Sequence, residues 1–206
     1  MAKSSKAWLH RHVTDRYVRR ARAEGYRSRA AYKLLEIDQK DRILRPGSTV
    51  LDLGGAPGGW SQVAARKVGS RGRVVAIDLL EIAPISGVKV LRGDVRESAA
   101  CAAAREALGG AADVVLSDLS PNLSGIPGVD QARAAELAGL AVELACEVLK
   151  PTGALVVKVF QGEAFDEVRS LLRRAFQTVV VRKPGASRGE SRETYLLGRG
   201  PKRALE

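Results

Sequence analysis

Four short runs in the middle of the chain are apolar almost without interruption: Thr49-Val50-Leu51-Asp52-Leu53, Arg73-Val74-Val75-Ala76-Ile77, Asp113-Val114-Val115-Leu116 and Ala154-Leu155-Val156-Val157-Lys158-Val159. A strand wetted on one face alternates apolar and polar residues, whereas a strand covered on both faces is apolar throughout. Stretches of helical pattern separate the runs, so the chain specifies an α/β fold: a mostly parallel sheet with helices on both faces. Val88-Lys89-Val90-Leu91 is a weaker fifth strand. Asp130 is placed to cap a long helix in which Leu137, Ala141, Leu144 and Val148 recur every three to four residues, with Glu136, Glu143 and Glu147 opposite. Lys150-Pro151-Thr152-Gly153 should turn that helix into the next strand. Thr178–Lys183 and Glu193–Leu197 have no crossover-length helix between them, so one of them runs antiparallel. The expected sheet has seven strands, one of them reversed.

Residues 1–48 read as a basic extension ending in a helix, ahead of a single compact unit at 49–206. Ser28 is expected to cap that helix, which runs through Asp38 with Ala30, Ala31, Leu34 and Leu35 facing the core and Lys33 on the flank. At 206 residues and 45% hydrophobic, the chain is sized for one domain with a real core. No run reaches the 18 apolar residues of a membrane span, and no signal-peptide pattern opens the sequence. Cys101 and Cys146 have neither disulfide-framework nor metal-ligand spacing and read as small core residues in helices. A reduced, cytoplasmic, monomeric protein is the expectation.

Charge is concentrated at the two ends. Residues 1–33 carry ten Lys/Arg against two acidic residues, and residues 182–206 carry seven against three. The intervening segment is nearly neutral, although the whole chain is +11. Such asymmetry fits a polyanionic partner, because Lys and Arg release the counterions condensed on phosphates. An aromatic content of 4% argues against recognition built on many stacked bases.

The loop Asp52-Leu53-Gly54-Gly55-Ala56-Pro57-Gly58-Gly59-Trp60 follows the first strand, where doubly wound sheets bind nucleotide-like ligands. Its glycines do not register with G-x-G-x-x-G, which disfavours a dinucleotide, and no Gly-Lys-Ser/Thr follows for a P-loop. Asp78, ending the second strand, is placed to accept from both hydroxyls of a ribose, and Asp94 to reach an adenine edge. Ribose and adenine recognition without a pyrophosphate cradle points to S-adenosylmethionine.

Asp118-Leu119-Ser120-Pro121-Asn122 would lie beside the methyl donor. It lacks the second proline and aromatic residue found in enzymes that methylate base amines, and no cysteine nucleophile is in reach for pyrimidine carbon. A hydroxyl acceptor remains. Lys158, an odd residue in an apolar strand, could take its proton, and burial with a second cation such as Lys33 would favour the neutral amine. His10 and His12 have no further ligand nearby, so no metal is expected.

Arg27-Ser28-Arg29-Ala30-Ala31-Tyr32-Lys33-Leu34, DLGGAPGGWSQ at 52–62, DLSPNLS at 118–124, VVKVFQGE at 156–163 and Ser191-Arg192-Glu193 together resemble the FtsJ/RrmJ family of ribose 2′-O-methyltransferases. The likeness covers nearly the whole chain. It implies a Rossmann-like class I methyltransferase with a catalytic set at Lys33, Asp118, Lys158 and Glu193, Lys158 being the proton acceptor. It also implies S-adenosylmethionine held by Gly58, Trp60, Asp78, Asp94 and Asp118. The implied acceptor is a uridine ribose in the aminoacyl-tRNA loop of 23S rRNA, presented by the assembled 50S subunit. A tRNA or mRNA-cap acceptor, or a non-catalytic ribosome-assembly factor, stays open as an alternative.

Overall fold

The computed structural model describes residues 15–122, 124–162, 164–187 and 191–202; His10, His12 and Arg188 lie outside them. Two helices, α1 (Arg16–Ala23) and α2 (Ala31–Asp41), precede β1 (Thr49–Leu53). Then follow α3 (Gly59–Val68), β2 (Arg73–Asp78), β3 (Val88–Arg92), α4 (Ser98–Leu108) and β4 (Ala112–Ser117). The chain continues through α5 (Pro127–Val148), β5 (Leu149–Phe160), α6 (Phe165–Ala175), β6 (Phe176–Arg182) and β7 (Glu193–Pro201). The strands form one seven-stranded sheet in the order β3-β2-β1-β4-β5-β7-β6. All neighbours are parallel up to β5, while β7 lies between β5 and β6 and is antiparallel to both.

The continuous apolar runs do what their composition demands. Leu51, Leu53, Val75, Val115, Leu155 and Val157 pack on one face against α4, α5 and α6. Their neighbours Val50, Val74, Val114, Leu116 and Val156 pack on the other against α2 and α3. Leu34 and Ile37 of α2 belong to that second layer, which fixes the flank carrying Lys33 relative to the strand ends.

Four local expectations are corrected. Ser28 does not cap α2: the helix starts at Ala31, its N-cap is Ala30, and no side chain caps it. The Ser28 hydroxyl is instead buried against Gly59, where an added Cβ would come within 2.4 Å of its oxygen. Asp130 is not the N-cap of α5, because Pro127 at the helix start presets the backbone and needs no N–H partner. From inside the first turn the Asp130 carboxylate reaches back to accept from Ser124 N and Oγ, both at 2.7 Å, and from Gly125 N. Lys150–Gly153 is not a free turn but a bulge within β5, between the Ala112–Leu149 and Val114–Ala154 pairs. Of the two cysteines, Cys101 is partly buried whereas Cys146 is exposed on α5.

Candidate active site

The carboxyl ends of β1, β2 and β4 open into a cleft of about 510 Å3, lined by Gly54, Ala56, Asp78, Asp94, Asp118 and Asn122 among others. Gly54 has φ +74°, and a Cβ there would meet Leu119 at 2.9 Å, so only glycine lets β1 turn this close to the segment after β4. Asp78 accepts from Ala56 N at 2.9 Å and Leu80 N at 2.8 Å, one bond per oxygen, and keeps acceptor capacity toward the cleft. Asp94 is held by Arg96, whose backbone N–H and guanidinium engage both carboxylate oxygens. That pairing holds the Asp94 carboxyl below the usual carboxylate range.

Gly58 and Trp60 are buried behind the cleft wall rather than in its lining. Gly58, with φ +115°, carries the chain into α3. The Trp60 indole donates to Ala30 O at 2.8 Å and packs on Tyr195 with ring centroids 5.5 Å apart. Beneath the loop lies Asp52, fully buried, accepting from Ser61 Oγ at 2.5 Å while its other oxygen has no partner among the described residues. Burial pushes the Asp52 carboxyl up to about 7; the Ser61 bond opposes the rise, and the nearby Asp118 and Asp78 charges add to it.

Lys33, Asp118, Lys158 and Glu193 converge beside this cleft. Lys158 Nζ donates to Asp118 O at 2.6 Å and lies 3.2 Å from Asp118 Oδ1. Lys33 Nζ sits 2.7 Å from Glu193 Oε1 and 2.8 Å from Oε2. Each lysine is thus paired with a carboxylate, and the nearest charge to Lys33 is Glu193. Burial alone would raise the Glu193 carboxyl, but the Lys33 ammonium, helped by Lys158 and the Tyr195 hydroxyl, holds it below the ordinary value.

Tyr195 is absent from the residues singled out in the sequence. It is fully buried, and its hydroxyl lies 3.0 Å from both Asp118 Oδ1 and Glu193 Oε1. Burial pushes this phenol well above its ordinary pKa, as do the Asp118 and Glu193 charges. An aromatic residue in an apolar strand reads as core, and only the register of β7 against β5, Tyr195 opposite Lys158, gives it another role.

The basic residues near the C-terminus divide. Arg182 is spent on a two-pronged pair with Asp41 at 2.6 and 2.7 Å, and Lys183 donates to the backbone of Ser191 and Glu193. On α1, Arg19 and Arg22 are exposed.

The FtsJ-like methyltransferase family matches residues 26–201, from the approach to α2 to the end of β7. The chain belongs to that family. Two relatives carry the name ribosomal RNA large subunit methyltransferase E. The one from Thiobacillus denitrificans is 56% identical over 200 residues, covering 97% of this chain and 91% of its own. The one from Azoarcus is 57% identical over 197 residues, covering 95% and 96%. A ribosomal RNA methyltransferase structure from Plasmodium falciparum superposes with a TM-score of 0.75 at 28% identity, covering 85% of this chain and 98% of that one. Fibrillarin from Aeropyrum pernix, solved with S-adenosyl-L-methionine bound, shares the fold with a TM-score of 0.60 at 19% identity, covering 84% and 75%. The protein is therefore a methyltransferase with a Rossmann-like sheet. Among the described residues, no helix is long and apolar enough to cross a membrane.

Proposed function

We propose that this FtsJ-like protein transfers the methyl group of S-adenosylmethionine to the ribose 2′-hydroxyl of a uridine in the aminoacyl-tRNA loop of 23S rRNA, with the 50S subunit as substrate. The observation that carries the reading is the meeting of two lysine–carboxylate pairs, Lys158–Asp118 and Lys33–Glu193, at one edge of a cleft rich in carboxylates.

The cleft's chemistry suits this cofactor. Asp78 has acceptors left for vicinal hydroxyls, and Asp94 is oriented by Arg96 for an exocyclic amine. Asp118, on the cleft wall, favours a cationic group nearby. When bound, S-adenosylmethionine supplies an electrophilic methyl on a sulfur that leaves as a neutral thioether. Lys158 Nζ then takes the proton of the attacking hydroxyl. Asp118 fixes Lys158 through two contacts and compensates the charge it gains. Lys33, held by Glu193, stands ready for the ribose or its phosphate, where misplacement by about 1 Å is costly.

The RNA substrate is supported by the charge at the chain ends and by relatives whose names specify large-subunit rRNA. Both charged segments lead into the site, one at Lys33 and the other at Glu193. The test is transfer of labelled methyl to 50S subunits lacking the modification, beside naked 23S rRNA and tRNA. Label on the 50S sample is expected; label on tRNA alone would overturn the substrate and keep the donor.

A further inference from the structure

One oxygen on each carboxylate does double duty in the cluster at the strand ends. Glu193 Oε1 is the atom 2.7 Å from Lys33 Nζ and also the atom 3.0 Å from the Tyr195 hydroxyl. Asp118 Oδ1 is the atom 3.2 Å from Lys158 Nζ and also 3.0 Å from the same hydroxyl. The result is an unbroken line, Lys33–Glu193–Tyr195–Asp118–Lys158, with Tyr195 at its centre.

A phenol has one proton to donate, and two carboxylate oxygens compete for it. Burial, with negative charge on both sides, keeps that proton on Tyr195. The ring cannot swing away, because it is fully buried, packed on Trp60 and held near the start of β7 between β5 and β6. The one freedom left is rotation of O–H about the Cζ–O bond, from Asp118 to Glu193 or back. Ser187 Oγ, 3.1 Å from Glu193 Oε1, offers that carboxylate another donor when Tyr195 turns away.

We propose that Tyr195 is a positioning residue whose hydroxyl switches between Asp118 and Glu193 as the charge on Lys158 changes. This rests on Lys158 taking the ribose proton. While Lys158 is neutral, Asp118 lacks a cation and the hydroxyl donates to it. Once Lys158 has gained the proton, Asp118 is compensated and the hydroxyl turns to Glu193. No bond to hydrogen in Tyr195 breaks. The switch keeps the partly buried Asp118 from being left with neither a cation nor a donor at any stage.

Tyr195→Phe keeps the ring and removes the switch. In single-turnover transfer of labelled methyl to 50S subunits lacking the modification, the expected result is a rate lowered about tenfold or more. The ascending limb of the pH–rate profile should move to higher pH, because Asp118 without a donor favours the charged form of Lys158. The Kd for S-adenosylhomocysteine, read by calorimetry, should stay within about twofold. A merely structural role would move stability and affinity and leave the pH limb in place. An unchanged rate and limb in Tyr195→Phe, with Lys158→Ala inactive, overturns the proposal alone. Full transfer by Lys158→Ala overturns the proton-acceptor reading and this proposal with it. Should the phenylalanine variant unfold, fluorinated tyrosine at position 195 keeps the hydroxyl and makes it a stronger donor; the limb should then move to lower pH, and no movement contradicts the switch.

Discussion

Lys33 and Glu193 lie 160 residues apart in the chain and within 2.8 Å in the fold, joining the first layer of helices to the reversed strand β7. Neighbouring contacts brace the junction. Arg29 bonds Asp15 and the carbonyl of Ala186, while Glu36 accepts from the Tyr17 hydroxyl and from Ala186 N. The segment 184–187 after β6 is thereby clamped by α1 and α2, and Ser187 contacts Glu193. The lysine–carboxylate cluster is closed only when α2 and β7 are both packed in place.

The exposed arginines of α1 and the paired arginine of β6 should behave differently. Replacing Arg19 and Arg22 with alanine should weaken 50S binding and flatten the plot of log affinity against log salt. Arg182→Ala should leave that slope unchanged and lower stability by about 1–3 kcal/mol, since it strands the largely buried Asp41 carboxylate. Filter binding across a salt series and urea unfolding separate the two. A flattened slope in Arg182→Ala would contradict the assignment.

Asp52 should make the protein less stable as pH rises from about 4 toward 7. Its folded pKa is raised to about 7, so across that window the native state holds a proton that the unfolded state has released, and stability falls with pH. Asp52→Asn removes the titration and keeps an acceptor for Ser61. Relative to wild type, the variant should gain on the order of 1 kcal/mol or more between pH 5 and pH 8. Urea midpoints at the two values check this; a constant difference would show that Asp52 does not titrate in the window.

Trp60 sits in the glycine-rich motif yet packs on Tyr195 and donates to Ala30 O. Trp60→Phe should cost stability by about 1–3 kcal/mol through the lost bond and volume. The Kd for S-adenosylhomocysteine should remain within about twofold. Thermal unfolding and calorimetry measure both, and a large loss of affinity at unchanged stability would place Trp60 in the cofactor's first contacts.

The parallel strands and their covered faces were legible because burial on both sides leaves a continuous apolar signature at Val50–Leu53, Val74–Ile77 and Leu155–Val157, whereas their order in the sheet was not. Asp78 and Asp118 were legible because strand ends are where such sheets place ligands. Ser28 and Asp130 misled for one reason: both are good capping residues, but close packing at Gly59 and the start set by Pro127 decide those helices. Tyr195 and the Arg182–Asp41 pair could not be read, because each depends on contacts between residues far apart in sequence. Arg96 escaped notice for a different reason: its grip on Asp94 is local, two residues away, but in the sequence it looks like an ordinary surface charge.

The most direct test is to digest 50S rRNA after transfer of labelled methyl and ask which nucleoside carries the label, for wild type and for Lys158→Ala. The account predicts 2′-O-methyluridine from the wild type and none from the variant. Label on a base, or ribose label undiminished in Lys158→Ala, would contradict it.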